Sequence, residues 1–177
     1  MIDALLEAWG LKALPRTGWG LRGIENAESV AAHSWGIATL VLIFLPEDLD
    51  TGRALTYATL HDLAEVRVGD LTPADGVPAA VKHLRERDAM IELCAALPRG
   101  AHLLSTWDAY EAQSDPEARF VRQLDRLDMA LQALLYERNT GVDTGEFLDS
   151  AESVMQHPAL VDAMAAIREA RSENAQQ

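Results

Sequence analysis

A single cysteine, Cys94, in 177 residues leaves no partner for an internal disulfide. The first residues also lack a basic segment followed by an apolar one, the pattern of a secretory leader. Both absences lead us to expect a cytoplasmic protein. Long apolar runs are missing too: the most apolar stretch, IATLVLIFLP from Ile37 to Pro46, is about half of what a membrane-spanning helix needs. No membrane partner is expected. Cations are scarce, with 15 Lys and Arg against 28 Asp and Glu, a net charge of −13 and no dense basic block. A field of that sign repels polyphosphate backbones, which excludes non-specific binding of nucleic acid polymers. It opposes small phosphates as well, so an anionic substrate would need a metal ion and a locally placed arginine. Finally, alternating β-branched runs bounded by Asn-Gly or Asp-Gly turns are lacking, which removes the usual hairpin signal.

What remains is helical. With 49% apolar residues and no low-complexity segment, the chain fits one domain over residues 1–177 with a substantial core. We read an all-α compact bundle of roughly seven helices. The first covers about Ile2 to Leu11, followed by an irregular Gly- and Pro-punctuated loop, ALPRTGWGLRGIEN. A second starts near Glu28 or Ser29 and ends at Pro46. A third follows an Asp50 cap and runs to about Gly69. Others cover about Ala79 to Leu97 and Ala101 to Gln113, and one opens with a Ser114 or Asp115 cap and Pro116 in its first turn. The last follows Pro158, with the tail expected to fray from about residue 172.

The chemistry concentrates in LHDLAEVRVGD, Leu60 to Asp70. Carboxylates in an aliphatic helical setting are costly unless water, a cation or a proton compensates them. His61 and Glu65 are four residues apart and Asp62 and Glu65 three apart, so all three can project toward one side. VAAHSWG places His33 among small and apolar residues of another helix, and RQLDRLDMALQALLYE places Asp125 and Asp128 on a third. Two imidazoles and at least two carboxylates from separate helices make a mixed nitrogen and oxygen set suited to a divalent transition metal.

The order of His33, the His61-Asp62 doublet and the distant Asp125 resembles the H…HD…D signature of the HD-domain metal-dependent phosphohydrolases. KALPRTGW, ESVAAHSWG, HDLAEVRVGDLTPAD and SDPEARFVRQLDRLDMALQALLYE together resemble the 5'-deoxynucleotidase family within them, across nearly the whole chain. The resemblance implies a single helical HD domain, commonly a homodimer, that hydrolyses deoxyribonucleoside 5'-monophosphates to deoxynucleoside and phosphate. It implies that His33, His61, Asp62 and Asp125 hold one divalent ion (Co, Mn, Zn, Fe, Ni or Mg), with Glu65 and Asp70 as catalytic acidic residues. Arg16 matches the family's substrate arginine, and its planar fork suits a phosphate. Trp19 then packs beside sugar or base. Two departures stand out. Ala32 occupies a position that is acidic in many relatives, leaving Glu28 or another group to support the first histidine. RTGW separates an arginine and tryptophan that some members hold adjacent.

Each residue also has a plainer reading. Glu65 could pair on a solvated face with Arg67 or Lys82, and Asp70 could cap the following turn. Asp128 is expected to make a helix-surface contact. His83, His102 and His157 are assigned to surface or capping roles, Trp35 and Trp107 to core or dimer contacts. Arg119, Arg122 and Arg126 are read as a solvated face, with a phosphate role open because Asp125 shares their helix. Two functions compete with the 5'-deoxynucleotidase: a broader nucleotide phosphatase or pyrophosphohydrolase, and a non-catalytic metal-bound nucleotide sensor.

Overall fold

A computed structural model describes residues 1–174, and among these there are helices but no strands. Eight helices have eight residues or more: α1 (Ile2–Trp9), α3 (Val30–Phe44), α4 (Thr51–Leu60), α6 (Ala79–Ala95), α7 (Gly100–Glu111), α8 (Pro116–Thr140), α9 (Gly145–Glu152) and α10 (Pro158–Asn174). Two single turns, α2 (Thr17–Gly20) and α5 (Glu65–Val68), complete the set. The all-α expectation holds.

Local signals explain most boundaries. Ser29, Asp50 and Asp115 sit in extended backbone before α3, α4 and α8, and their side chains accept from the amides of Ala32, Arg53 and Ala118. Pro116 begins α8, and Gly141, at φ +74°, ends it. The long α8 packs against α3, α4, α9 and α10. Their shared core includes Ile37, Tyr57, Leu124, Leu127, Leu148 and Leu160. A smaller cluster of Ala64, Met90, Cys94 and Trp107 joins α6 and α7 to the segment after α4.

The structure departs from the sequence reading in four places. The helix expected from Asp50 to Gly69 stops at Leu60 and resumes at Glu65. Between them the bonds tighten to three-residue spacing: Leu63 donates to the Leu60 carbonyl and Glu65 to that of Asp62, each at 3.0 Å. In such winding residues three apart eclipse, so Asp62 and Glu65 project from one side. The loop after α1 contains α2, tied down because Arg16 donates its amide to Glu28 and Val30 donates to Leu14. Helix α9 adds an eighth long helix to the seven expected. Its sequence, GEFLDSAE, is short and polar, and Leu148 and Ala151 bury only through tertiary packing. Helix α10 continues through Ser172 to Asn174, where fraying was expected; the rest of that tail lies outside the described residues.

Candidate active site

The sharp turn after α4 aims His61 inward. Its Nδ1 lies 3.0 Å from the Ala58 carbonyl, and its own carbonyl, freed from the helical ladder, accepts from Trp107 Nε1 at 2.9 Å. With backbone and ring both fixed, Nε2 faces Asp62, 3.1 Å from Oδ2. His33 arrives from α3 completely buried. Its Nε2 lies 3.1 Å from Asp125 Oδ1 on α8 and 3.7 Å from Asp62 Oδ2. The ligand atoms of His33, His61 and Asp62 all lie within 4.8 Å of one another, a spacing that could hold a metal ion.

The chemistry of these donors fits such an ion. Both Nε2 atoms are buried and make no hydrogen bond, despite the nearby carboxylate oxygens. Unpaired buried nitrogens are costly, and here they converge with carboxylates on one centre rather than pairing with them. Burial works against the charged forms of Asp62 and Asp125, but His61 and Arg16 beside Asp62, and His33 beside Asp125, hold both carboxyls well below the usual range. His33 is likewise opposed by burial and by Arg16, but Asp125 and Asp128 push it up to about 10. A metal bound through His33 would have to displace a proton, so its affinity would fall as pH falls.

Around the cluster runs a cleft of about 660 Å³ lined by Arg16, Asp62, Glu65, Asp70 and Asp125 among others. Arg16 reaches Asp62 Oδ2 at 3.3 Å and Asp70 Oδ1 at 4.0 Å. Burial opposes its charge, and Asp62, Asp70 and Asp125 more than restore it. Asp70 accepts from the Thr17 amide at 2.7 Å. It therefore caps α2 across the chain, while the following turn is closed by Thr72 and Asp75 instead.

Glu65 is 2% exposed, with Oε2 buried and unpartnered. Burial first, then the charges of Asp62 and Asp70, push its carboxyl up to about 10. The solvated setting and the Arg67 partner are thus excluded, while the Lys82 pairing is present. Arg67 turns away to Glu7 and Glu92, while Lys82 Nζ stands 3.8 Å from Glu65 Oε1 and 3.4 Å from Glu86 Oε1. Lys82 also donates to the Leu71 carbonyl at 3.2 Å, fixing the segment after Asp70.

Trp19 lines the cleft but is 2% exposed, packed on Phe147 and Tyr136, with Nε1 donating to Glu28 Oε1 at 3.1 Å. It forms a fixed wall. The expected helix-surface contact of Asp128 is corrected: its Oδ2 lies 2.7 Å from His33 Nδ1. Spacing of three from Asp125 on α8 was the available signal. His83, assigned to the surface, stacks on the buried Trp107, lies 3.2 Å from Glu111 and lines the cleft. Phe147, Tyr110 and Glu86 also line it. Nothing in their local sequence marks them, because α6, α7 and α9 meet the cleft only through tertiary packing. Of the arginines on α8, Arg122 and Arg126 line the cleft as well. Trp107 is core, as expected, whereas Trp35 is 72% exposed.

The HD domain family pattern matches residues 9–166. The 5'-deoxynucleotidase HDDC2 of Bos taurus is 40% identical over 168 residues, covering 93% of this chain and 82% of that one. The 5'-deoxynucleotidase hdd1 of Schizosaccharomyces pombe is 35% identical over 156 residues, covering 84% and 78%. Among solved structures, the PH0347 protein of Pyrococcus horikoshii OT3 superposes with a TM-score of 0.79 at 29% identity, over 98% of this chain and 99% of that one. The match takes in the three helical regions that carry His33, His61-Asp62 and Asp125, and the chain belongs to the HD-domain family.

Proposed function

We propose that this protein is a metal-dependent 5'-deoxynucleotidase, hydrolysing deoxyribonucleoside 5'-monophosphates to deoxynucleoside and phosphate. One observation carries the reading: two buried imidazole nitrogens without hydrogen-bond partners face Asp62 and Asp125, beside a half-buried arginine and a spare buried carboxyl. The relatives named as 5'-deoxynucleotidases support the substrate class.

His33, His61, Asp62 and Asp125 would hold one divalent ion, with Co, Mn, Zn, Fe, Ni and Mg as candidates. A bound ion there supplies Lewis acidity toward the phosphoryl group and activates water. The chain's own groups do the rest. Arg16, now facing Asp62 and Asp70, presents its fork to the substrate phosphate. Glu65 handles a proton, and Asp70 holds Thr17 and Arg16 in place while sharing the acidic work. Trp19 and Phe147 form a rigid wall whose tight fit against the sugar would disfavour a 2'-hydroxyl.

The test is inorganic phosphate release from a panel of ribo- and deoxyribonucleotides under several added metals. Deoxynucleoside monophosphates should be turned over fastest. Faster release from triphosphates, or pyrophosphate as product, would favour the broader phosphatase or pyrophosphohydrolase. Metal-dependent nucleotide binding without any release would favour a sensor.

A second copy of the chain is the proposed partner. Trp35, Leu42 and Ile43 on α3 are 72%, 68% and 63% exposed, and an apolar face of that kind on one helix suits an isologous contact. Light scattering should then report twice the 19.3 kDa chain mass; a stable monomer at micromolar concentration rejects the dimer. We further propose a cytoplasmic location; among the described residues no helix is long and apolar enough to cross a membrane.

A further inference from the structure

We infer that Asp128 is the positioning residue that orients His33 for metal binding, and that Gly36 is the space that allows it. His33 is wholly buried, so solvent cannot satisfy either ring nitrogen. Asp128 Oδ2 sits 2.7 Å from Nδ1. A carboxylate there holds the proton on Nδ1, so Nε2, on the side of Asp62 and Asp125, is the nitrogen left to give its lone pair to a metal. Among the described residues no other acid bonds His33 Nδ1: position 32 is alanine, and Glu28 Oε1 accepts from Trp19 Nε1. Asp128 does not line the cleft, so it acts through His33 and not on the substrate.

The geometry also shows why residue 36 is glycine. A Cβ built there would lie 2.0 Å from Asp128 Oδ1 and 2.9 Å from Cγ. Any side chain at 36 must displace the carboxylate. Gly36 and His33 share α3, three residues apart, while Asp128 comes from α8. The missing side chain therefore lets a group from the second helix slide in behind a ligand of the first. Glu28, His33 and Asp128 lie close enough to suggest a second cation site. The short His33–Asp128 contact and the engaged Glu28 favour the hydrogen-bonded support instead.

The inference rests on the metal reading, and Co²⁺ titration of the full-length protein separates the two. If the unmodified protein binds no Co²⁺, that reading fails. If it binds, Asp128→Ala should weaken Co²⁺ affinity about 10- to 100-fold and shift the visible absorption of bound cobalt, with folding checked by circular dichroism. Gly36→Ala should weaken it comparably. The double variant should be no weaker than Asp128→Ala alone, because deleting the carboxylate makes room for the methyl group. Asp128→Asn keeps an acceptor and the packing but loses the charge, so its loss should be intermediate; it carries the test if the alanine variant does not fold. Wild-type Co²⁺ affinity in folded Asp128→Ala or in Asp128→Asn overturns the inference. So do additive losses in the double variant, or loss of a second cobalt equivalent with the first unchanged.

Discussion

Glu65→Gln should lower phosphate release about 100-fold or more while the bound metal stays. The side chain lies inside the cleft wall, 2% exposed, with one carboxyl oxygen lacking any partner. Burying it there costs stability, a cost that structure alone does not need. Its carboxyl, raised to about 10 by burial and by Asp62 and Asp70, is the neutral acid at neutral pH in the metal-free protein. In that form it can give its proton to the departing deoxynucleoside oxygen, and only the carboxylate left behind can then take one back from water. Lys82, 3.8 Å away, adds a cation that favours the ionised form during the cycle. Glutamine keeps the volume and a hydrogen bond but can carry no proton, so the variant should fold and keep its metal. Metal content and turnover measured on the same preparation decide it. If the two fall together, Glu65 is a ligand; if neither falls, it is structural.

Arg16 should be the second most sensitive position. In a chain of net charge −13, a phosphate dianion approaches against the long-range field, and short-range compensation has to overcome it. Arg16 is placed for this. Its amide is held by the Glu28 carbonyl, the next amide by Asp70, and its guanidinium lies between Asp62 and Asp70. Losing a charge-assisted hydrogen bond costs about 1.5–3 kcal/mol, roughly 10- to 150-fold in kcat/KM at 1.36 kcal/mol per decade. We expect Arg16→Ala to fall in that range. Arg16→Lys keeps the charge but not the fork and should recover only part. Neither should empty the metal site. A change of only a few-fold in Arg16→Ala would remove this residue from the site and pass phosphate binding to Arg126, which also lines the cleft. Arg22, on the same loop as Arg16, is paired with Glu146 and does not line the cleft.

How much of this could be read from the sequence depended on how local each determinant is. Caps at Ser29, Asp50 and Asp115 act within one turn, so the starts of α3, α4 and α8 were placed closely. His33, His61, Asp62 and Asp125 could be picked out because their order and spacing follow the family pattern; the fold groups the first three, with Asp125 against His33. The break between α4 and α5 left no such mark. LHDLAEV reads as continuous helix, and the turn is fixed by Trp107, 46 residues away, bonding the His61 carbonyl. Helix α9 and its Phe147 were missed because a short polar helix exists only through what it packs against. Asp128 was seen but misassigned: its spacing put it beside Asp125, whereas its partner depended on how closely α3 approaches α8, which Gly36 decides. The indole of Trp19 could be placed at the cleft, but not its commitment to Glu28.

The central claim, a divalent ion held by His33, His61, Asp62 and Asp125 and required for hydrolysis of a deoxynucleoside monophosphate, has one direct test. Protein stripped by a chelator and desalted is assayed for phosphate release from a 2'-deoxynucleoside 5'-monophosphate, then reassayed as Co²⁺ or Mn²⁺ is returned. Release should be abolished on stripping and return in proportion to bound metal, saturating near one equivalent per chain, with Asp62→Ala unable to recover. Full turnover by protein with no measurable metal would contradict the account.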